Sequence, residues 1–482
     1  MKLPKGSVER MVREFGKVKL GDPRRTKRVQ KVVAKMARRP SSPLPAALEG
    51  AGELEAAYRL ANNPHVTFAE LMAAPIGMTS KRAEVARRVL VLHDTTDASF
   101  SNLDPEEIGY LQTGKAGFKL HLSLVLDAGL WRRPLGVVHA ETLHRAKRSK
   151  RGGRKKRSSG VVTATWKDRE FKRWWRGIAA SAEALRSCEG VIHVADRESD
   201  SYELMTQTLA TGQGFIFRVR VDRRGRPAGA DEDPWSTVKQ VAAGCQGLLE
   251  RTVPLSRRGA KTAPGMNQAH APRKMRWATL SFSATAIEIP RPRHVSKALP
   301  QSLRLHLVHV VERNPPAGQE PVQWLLYTTE PISTASEVEE VVDNYRARWT
   351  IEEFNAALKT GTAYEVRQFE TRHALLTMLA LSLPIACELL WIRSRARSSP
   401  DAPATDVLTP LQIRILRKLG PRKLSAHPSA QEALLALAAL GGHIKSNGEP
   451  GWRILHRAMV LLGAYETGWA AADRSRAPRG KL

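Results

Sequence analysis

The sequence predicts an α/β core carrying a β-rich insertion, flanked by an N-terminal helical domain and a C-terminal helical domain. Three observations lead there. A basic segment with helical spacing opens the chain. Apolar runs with strand periodicity then alternate with helical patterns over residues 89–220 and return at residue 323. Beyond residue 371 the chain is Ala- and Leu-rich and helical in pattern. With 482 residues, the chain holds more than one domain and buries a substantial core.

Taken in order, Asp22-Pro23 reads as a helix start, with Asp as N-cap and Pro at the first helical position. The helix after it divides into two faces. Val29, Val32, Val33 and Met36 form the apolar stripe; Arg24, Arg28, Lys31 and Lys35 run along another face, with Arg25 and Lys27 beside them. A turn at Pro40-Ser41-Ser42-Pro43 leads to a second helix near 53–61, containing Tyr58 and Arg59. Strand signals follow at 89–93, at 118–126 in strict apolar alternation, and at 135–142. A helix near 165–186 with Trp166, Trp174 and Trp175 comes next. Then come a strand running up to Asp196, a helix about 201–209 and a strand 215–220. Three antiparallel strands, a helix, then strands interleaved with helices describe a ribonuclease-H-like core. The stretch 222–323 is rich in Pro, Gly and Arg and reads as a mostly antiparallel insertion, after which the strand 323–329 returns to the core. The expected domains are 1–68, 69–370 interrupted by 222–323, and 371–482.

The formal net charge of +30 is far more than solubility needs and predicts a polyanionic partner, nucleic acid. Residues 1–40 hold fourteen Lys or Arg against three acids, which suits contact with the DNA backbone or groove. The loop 145–157 has nine basic residues of thirteen and no acid; it is expected to lie along DNA near the Asp94 strand. Three widely spaced cysteines, Cys188, Cys245 and Cys387, fit a reduced cytoplasm and offer no zinc spacing. No secretory signal is read in Met1-Lys2-Leu3-Pro4-Lys5 and the charged residues after it. Residues 374–392 are apolar enough to suggest a membrane span. Pro384, Glu388 and flanking Arg372 and Arg393 argue instead for a buried helix broken at the proline, and no membrane partner is expected.

Chemistry concentrates in the predicted helix over 336–360. Tyr345, Arg348, Glu352 and Lys359 occur there in the spacing Tyr-x-x-Arg-x-x-x-Glu-x6-Lys. At 100° per residue the four side chains fall within about 60° of one another, one polar stripe on one face. An aromatic hydroxyl, two cations and a carboxylate pointing together suit a metal-bound phosphodiester. Two more carboxylates are expected at strand ends: Asp94 after Val89-Leu90-Val91-Leu92, and Asp196 after Val191-Ile192-His193-Val194. Three acids converging from two strand ends and a helix make a divalent-metal site for phosphoryl transfer. Glu353, about 100° round the helix from Glu352, points elsewhere.

These stretches resemble the cut-and-paste bacterial transposases of the insertion-sequence-four family. The resemblance is carried by Leu20-Gly21-Asp22-Pro23-Arg24-Arg25-Thr26, Ala57-Tyr58-Arg59 with Asn63-Pro64, Asp94-Thr95-Thr96, Asp196-Arg197-Glu198 and Trp324-Leu325-Leu326. It continues through Tyr345 to Lys359-Thr360-Gly361 and Leu440-Gly441-Gly442, in order and over nearly the whole chain. It implies that Asp94, Asp196 and Glu352 form an Asp-Asp-Glu triad holding two Mg²⁺ or Mn²⁺ ions. It implies that Tyr345, Arg348 and Lys359 grip the transferred-strand phosphates, that Trp324 receives a flipped base, and that Arg218 contacts a phosphate near it. It further implies double-stranded transposon-end and target DNA as partners, with Arg24, Arg25, Arg28, Lys31 and Arg59 on the DNA. A homodimeric synaptic complex, no nucleotide cofactor and a place in the bacterial cytoplasm at the nucleoid complete the expectation. A structure-specific nuclease on the same core and a catalytically inactive DNA-binding regulator are the alternative readings.

Overall fold

The computed structural model describes residues 3, 5–48, 50–129, 131–145, 171–230, 234–257, 272–444 and 448–476. Residues 146–157 of the basic loop, and Trp166, lie outside them.

At the N-terminal end, helix Pro23–Arg38 starts as its sequence predicts. Asp22 caps it, its carboxylate accepting the Arg24 N–H at 2.8 Å, and Val29, Val32, Val33 and Met36 are buried. The next recognisable helix, Ala51–Ala61, begins two residues ahead of expectation, and Phe68–Ala86 then leads into the sheet behind a Thr67/Glu70 capping box.

Among the described residues the strands are β1 (Arg88–Ser99), β2 (Gly117–Asp127), β3 (Pro134–Leu143), β4 (Gly190–Ala195), β5 (Gly214–Arg218) and β6 (Arg224–Pro227). After these come β7 (Ser236–Thr237), β8 (Gly247–Leu255), β9 (Arg276–Pro290), β10 (Ser302–Glu312) and β11 (Gln323–Thr328). The order β3-β2-β1-β4-β5, antiparallel for the first three and parallel from β1 through β5, is the ribonuclease-H-like core. The insertion does not form a separate layer. β11 pairs antiparallel with β5, and β10, β9, β6 and β7 extend the same sheet, with β8 alongside β9.

Alternation of side chains across the sheet sorts the core into two layers. Leu90, Leu92, Ile192 and Val194 join the large cluster that includes Ile351, Phe354 and the helix Arg372–Ser398. Val89, Val91, Val125 and Val191 pack on the other side with Ala83 and Leu185. The alternation of β2 therefore does not mark a half-exposed strand, because both of its faces are buried.

Two expectations need correcting here. Asp94 does not end a strand: β1 runs on to Ser99, and Asp97 lies within it, 3.6 Å from Lys119 in β2. The polar residues after Leu92 hide the continuation from a hydrophobic pattern, yet they keep pairing with β2 through Ser99↔Gly117. The helix Arg372–Ser398 is also unbroken at Pro384. A proline removes one helical hydrogen bond, but 78 % of the most apolar stretch of this helix is buried, and packing on every side holds it continuous.

Candidate metal and DNA site

Register brings the two aspartates together. β1 and β4 pair in parallel through Leu92↔Val194, so two residues further on Asp94 and Asp196 leave adjacent strands on the same face. That face is the one covered by helix Trp349–Ala356, which carries Glu352. Asp94 is half-buried, and its Oδ2 accepts a hydrogen bond from Asn355 Nδ2 at 2.9 Å. Burial pushes the Asp94 carboxyl up to about 7. Arg348 opposes the rise, and the neighbouring carboxylates of Asp196 and Glu352 add to it. Asp196 begins the turn Arg197–Ser199, its Oδ1 accepting the Glu198 N–H at 2.9 Å. Glu198 in turn pairs with Arg173 at 2.7 Å, and Arg173 Nε donates to Thr95 Oγ1 at 2.8 Å. This brace joins the residue after Asp94 to the turn after Asp196.

The helical segment over 336–360 departs from the single helix predicted. It consists of Ala335–Arg346, Trp349–Ala356 and a π-turn at Ala357–Gly361. Hydrogen bonds from Arg348 to Tyr345, Thr350 to Ala347 and Ile351 to Arg348 tighten the joint to three-residue spacing. The break redistributes the four polar residues. Arg348 and Glu352 stay together, 2.6 Å apart. Tyr345 faces Arg218 and Trp324, its ring centroid 5.5 Å from that of Trp324 and edge-on. The Arg218 guanidinium lies 5.9 Å from the Trp324 ring centre. Burial raises the Tyr345 hydroxyl pKa against the pull of Arg218 and Arg348, so the phenol stays protonated. Lys359 leaves the stripe: in the π-turn it stands 3.8 Å from Glu365, whose other contact is the Ser99 N–H at the end of β1. Glu353 points away from the aspartates, as expected, onto Arg393 and Arg397 of the following helix.

A cleft beside this cluster is lined by Arg132, Arg218, Trp324, Tyr345, Arg346, Arg348 and Trp349, together with the carboxylates Glu340 and Asp343. Four of these are arginines and three are aromatic, and Trp349 is 61 % exposed. Among the N-terminal cations Lys31 is exposed, Arg24 pairs with Asp22 at 2.9 Å, Arg25 donates to the Leu20 carbonyl, and Arg59 lies 3.6 Å from Glu55.

Among the described residues no three His, Cys, Asp or Glu side chains close on one point as a ready-made ion cage. Glu352 is turned onto Arg348. The donor set nonetheless suits a hard cation: Asp94, Asp196 and Glu352 are all oxygen donors, and burial, with a smaller contribution from the two neighbouring carboxylates, raises the Asp94 carboxyl to about 7.

Sequence reasoning missed Asn355, Arg173 and a buried histidine row beneath the site. His93 lies 2.9 Å from His193, Ser123 2.9 Å from His93, and His121 2.9 Å from Thr95. The only sequence signal for the row was a histidine beside each strand aspartate, His93 before Asp94 and His193 three before Asp196.

Residues 10–66 match the transposase DNA-binding family, and residues 169–385 match the transposase DDE domain. The first segment spans the N-terminal cations from Arg24 to Arg59, and its match assigns DNA binding to that end of the chain. The second segment contains Asp196, Trp324 and Glu352 and begins after Asp94. Enzymes with this domain use divalent metal ions.

Proposed function

With a transposase DNA-binding domain ahead of a transposase DDE domain, the chain is a DDE transposase, and we propose that it is a cut-and-paste enzyme of the insertion-sequence-four family. In this reading it binds terminal inverted repeats, pairs two ends as a homodimer through its C-terminal helices, excises the element by nicking and hairpin formation and opening, and joins the 3′ ends to target DNA. The domains at 1–68, 69–370 and 371–482 divide end recognition, chemistry and dimerisation, and the protein works at the nucleoid in the cytoplasm.

Asp94, Asp196 and Glu352 hold the metal, two Mg²⁺ or Mn²⁺ ions. Bound there, the ions supply Lewis acidity toward the attacking and departing oxygens of an in-line displacement. The chain's own residues do the rest. Asp94 would serve as a ligand in its ionised form. Glu352 would be the helix-borne ligand, and Arg348 beside it would hold a strand phosphate together with Tyr345. Trp324 exchanges its Arg218 neighbour for a flipped base, and Arg218 moves to the adjoining phosphate. Lys359 and the N-terminal residues Arg24, Arg25, Arg28, Lys31 and Arg59 neutralise further phosphates.

The observation that carries this reading is the β1–β4 register, whose last pair Leu92↔Val194 lies two residues before Asp94 and Asp196 under the Glu352 helix, with Asp94 raised to about 7 near two other carboxylates. The test is a supercoiled plasmid with candidate terminal repeats, incubated with protein and Mg²⁺. Double-end excision through hairpin intermediates supports the reading. Simple nicking points to a structure-specific nuclease, and bound but intact DNA to a regulator.

A further inference from the structure

Asn355 stands one helical turn beyond Glu352 and reaches β1. Its Nδ2 donates to Asp94 Oδ2 at 2.9 Å, whereas its Oδ1 is buried with no hydrogen-bond partner among the described residues. The residue is only 7 % exposed. A buried amide oxygen without a donor is unfavourable, and such a group is retained where something outside the protein supplies the missing hydrogen. The neighbour of this orphan oxygen is a carboxylate read above as a metal ligand. Small hard divalent ions keep several of their waters when bound through one or two carboxylates, and those waters are donors.

We propose that Asn355 is a positioning residue for the bound ions: Nδ2 fixes the orientation of the Asp94 carboxylate, and Oδ1 accepts a hydrogen bond from a water carried on the cation. The proposal rests on the metal role of Asp94 and Glu352 argued above. One side chain then couples the Glu352 helix to the Asp94 strand and discriminates hydrated ion from empty site. Contacts of this outer kind commonly change metal affinity about 10- to 100-fold.

The experiment titrates full-length protein with Mn²⁺, reading free ion by electron paramagnetic resonance, alongside plasmid-binding affinity and melting in EDTA. Asn355→Leu has similar volume and neither hydrogen-bonding group. Expected is a roughly 10- to 100-fold weaker Mn²⁺ affinity, with plasmid binding within about twofold of wild type and no fall in the EDTA melting midpoint. A purely structural asparagine gives the opposite pattern, lower melting with unaltered Mn²⁺ affinity. Unaltered Mn²⁺ affinity overturns the proposal, and so does weakened affinity accompanied by lost plasmid binding. Should Asn355→Leu fail to fold, Asn355→Ala decides on the same two readouts. Asp94→Asn separates the layers of the argument. If it leaves Mn²⁺ binding intact, the metal reading itself fails. If it abolishes Mn²⁺ binding while Asn355→Leu does nothing, only the role of Asn355 fails.

Discussion

The two halves of the continuous sheet are built from different chemistry. From β3 to β5 the strands are apolar, β1, β4 and β5 run parallel, and helices cover them. From β11 to β7 the strands are antiparallel and are tied by arginine–carboxylate pairs, Arg226 to Glu288 at 2.8 Å and Arg276 to Glu312. The parallel pairing of β1 with β4 runs through Leu92↔Val194, so Asp94, inside β1, and Asp196, just past the end of β4, each lie two residues beyond the same pair. The insertion half has no such parallel pair among the described residues. Its contribution lies at the seam, where Trp324 on β11 meets Arg218 on β5, and at Arg251 on β8, which clamps Glu339 and Asp343 of helix Ala335–Arg346. The comparison teaches that in the proposed reading one half carries the three acids and the other braces helix Ala335–Arg346 beside them.

The sharpest way to break this division is Asp196→Ala. DNA binding should persist while cutting falls roughly a thousandfold or more, since charge stabilisation at a metal site is worth several kcal/mol and each 1.4 kcal/mol is tenfold. Cleavage at the normal rate in the plasmid assay contradicts the triad.

A second test concerns the parallel half alone. Burial holds His193 down at about 4, partly opposed by its contact with Gln213. The unfolded chain therefore binds the proton that the folded one refuses. Stability from the neutral ring is complete above pH 6.5 and is lost as pH falls from about 6.5 to 4, a change of about 3 kcal/mol. Urea midpoints measured across that window should fall more steeply for wild type than for His193→Gln; parallel curves refute the assignment.

At the seam, Trp324→Ala removes a stacking surface worth about 1–3 kcal/mol per base, so hairpin formation should slow roughly 5- to 150-fold while first-strand nicking is spared. Single-turnover kinetics resolve the two steps, and equal slowing of both counts against base stacking. The smallest effect belongs to the insertion clamp. Arg251 and its partners are partly exposed, so Arg251→Met should cost only about 1 kcal/mol in urea unfolding, with less than tenfold loss of cutting. A loss as large as that of Asp196→Ala would mean that the insertion shapes the reacting centre directly.

Much of this architecture is legible in the sequence because local chemistry writes it there. The Asp22 cap, the buried stripe of helix Pro23–Arg38 and the apolar strands are short-range patterns. What escapes is non-local or unmarked. The continuation of β1 past Asp94 is polar because it passes through the site, so no hydrophobic period reports it. The break before Trp349 contains neither Pro nor Gly, only Ala347 and Arg348, and no stop signal precedes it. Fusion of the insertion with the core depends on β5 finding β11 across more than a hundred residues. Asn355 reads as an ordinary helix residue until its partner on another element is known.

The central claim is that Asp94, Asp196 and Glu352 share divalent ions where the DNA strand is cut. Anomalous diffraction from crystals grown with terminal DNA and Mn²⁺ tests it most directly. The account predicts manganese peaks within coordination distance of all three carboxylates, with Glu352 released from Arg348. Manganese bound elsewhere, or none at the three while the DNA is seated, would contradict it.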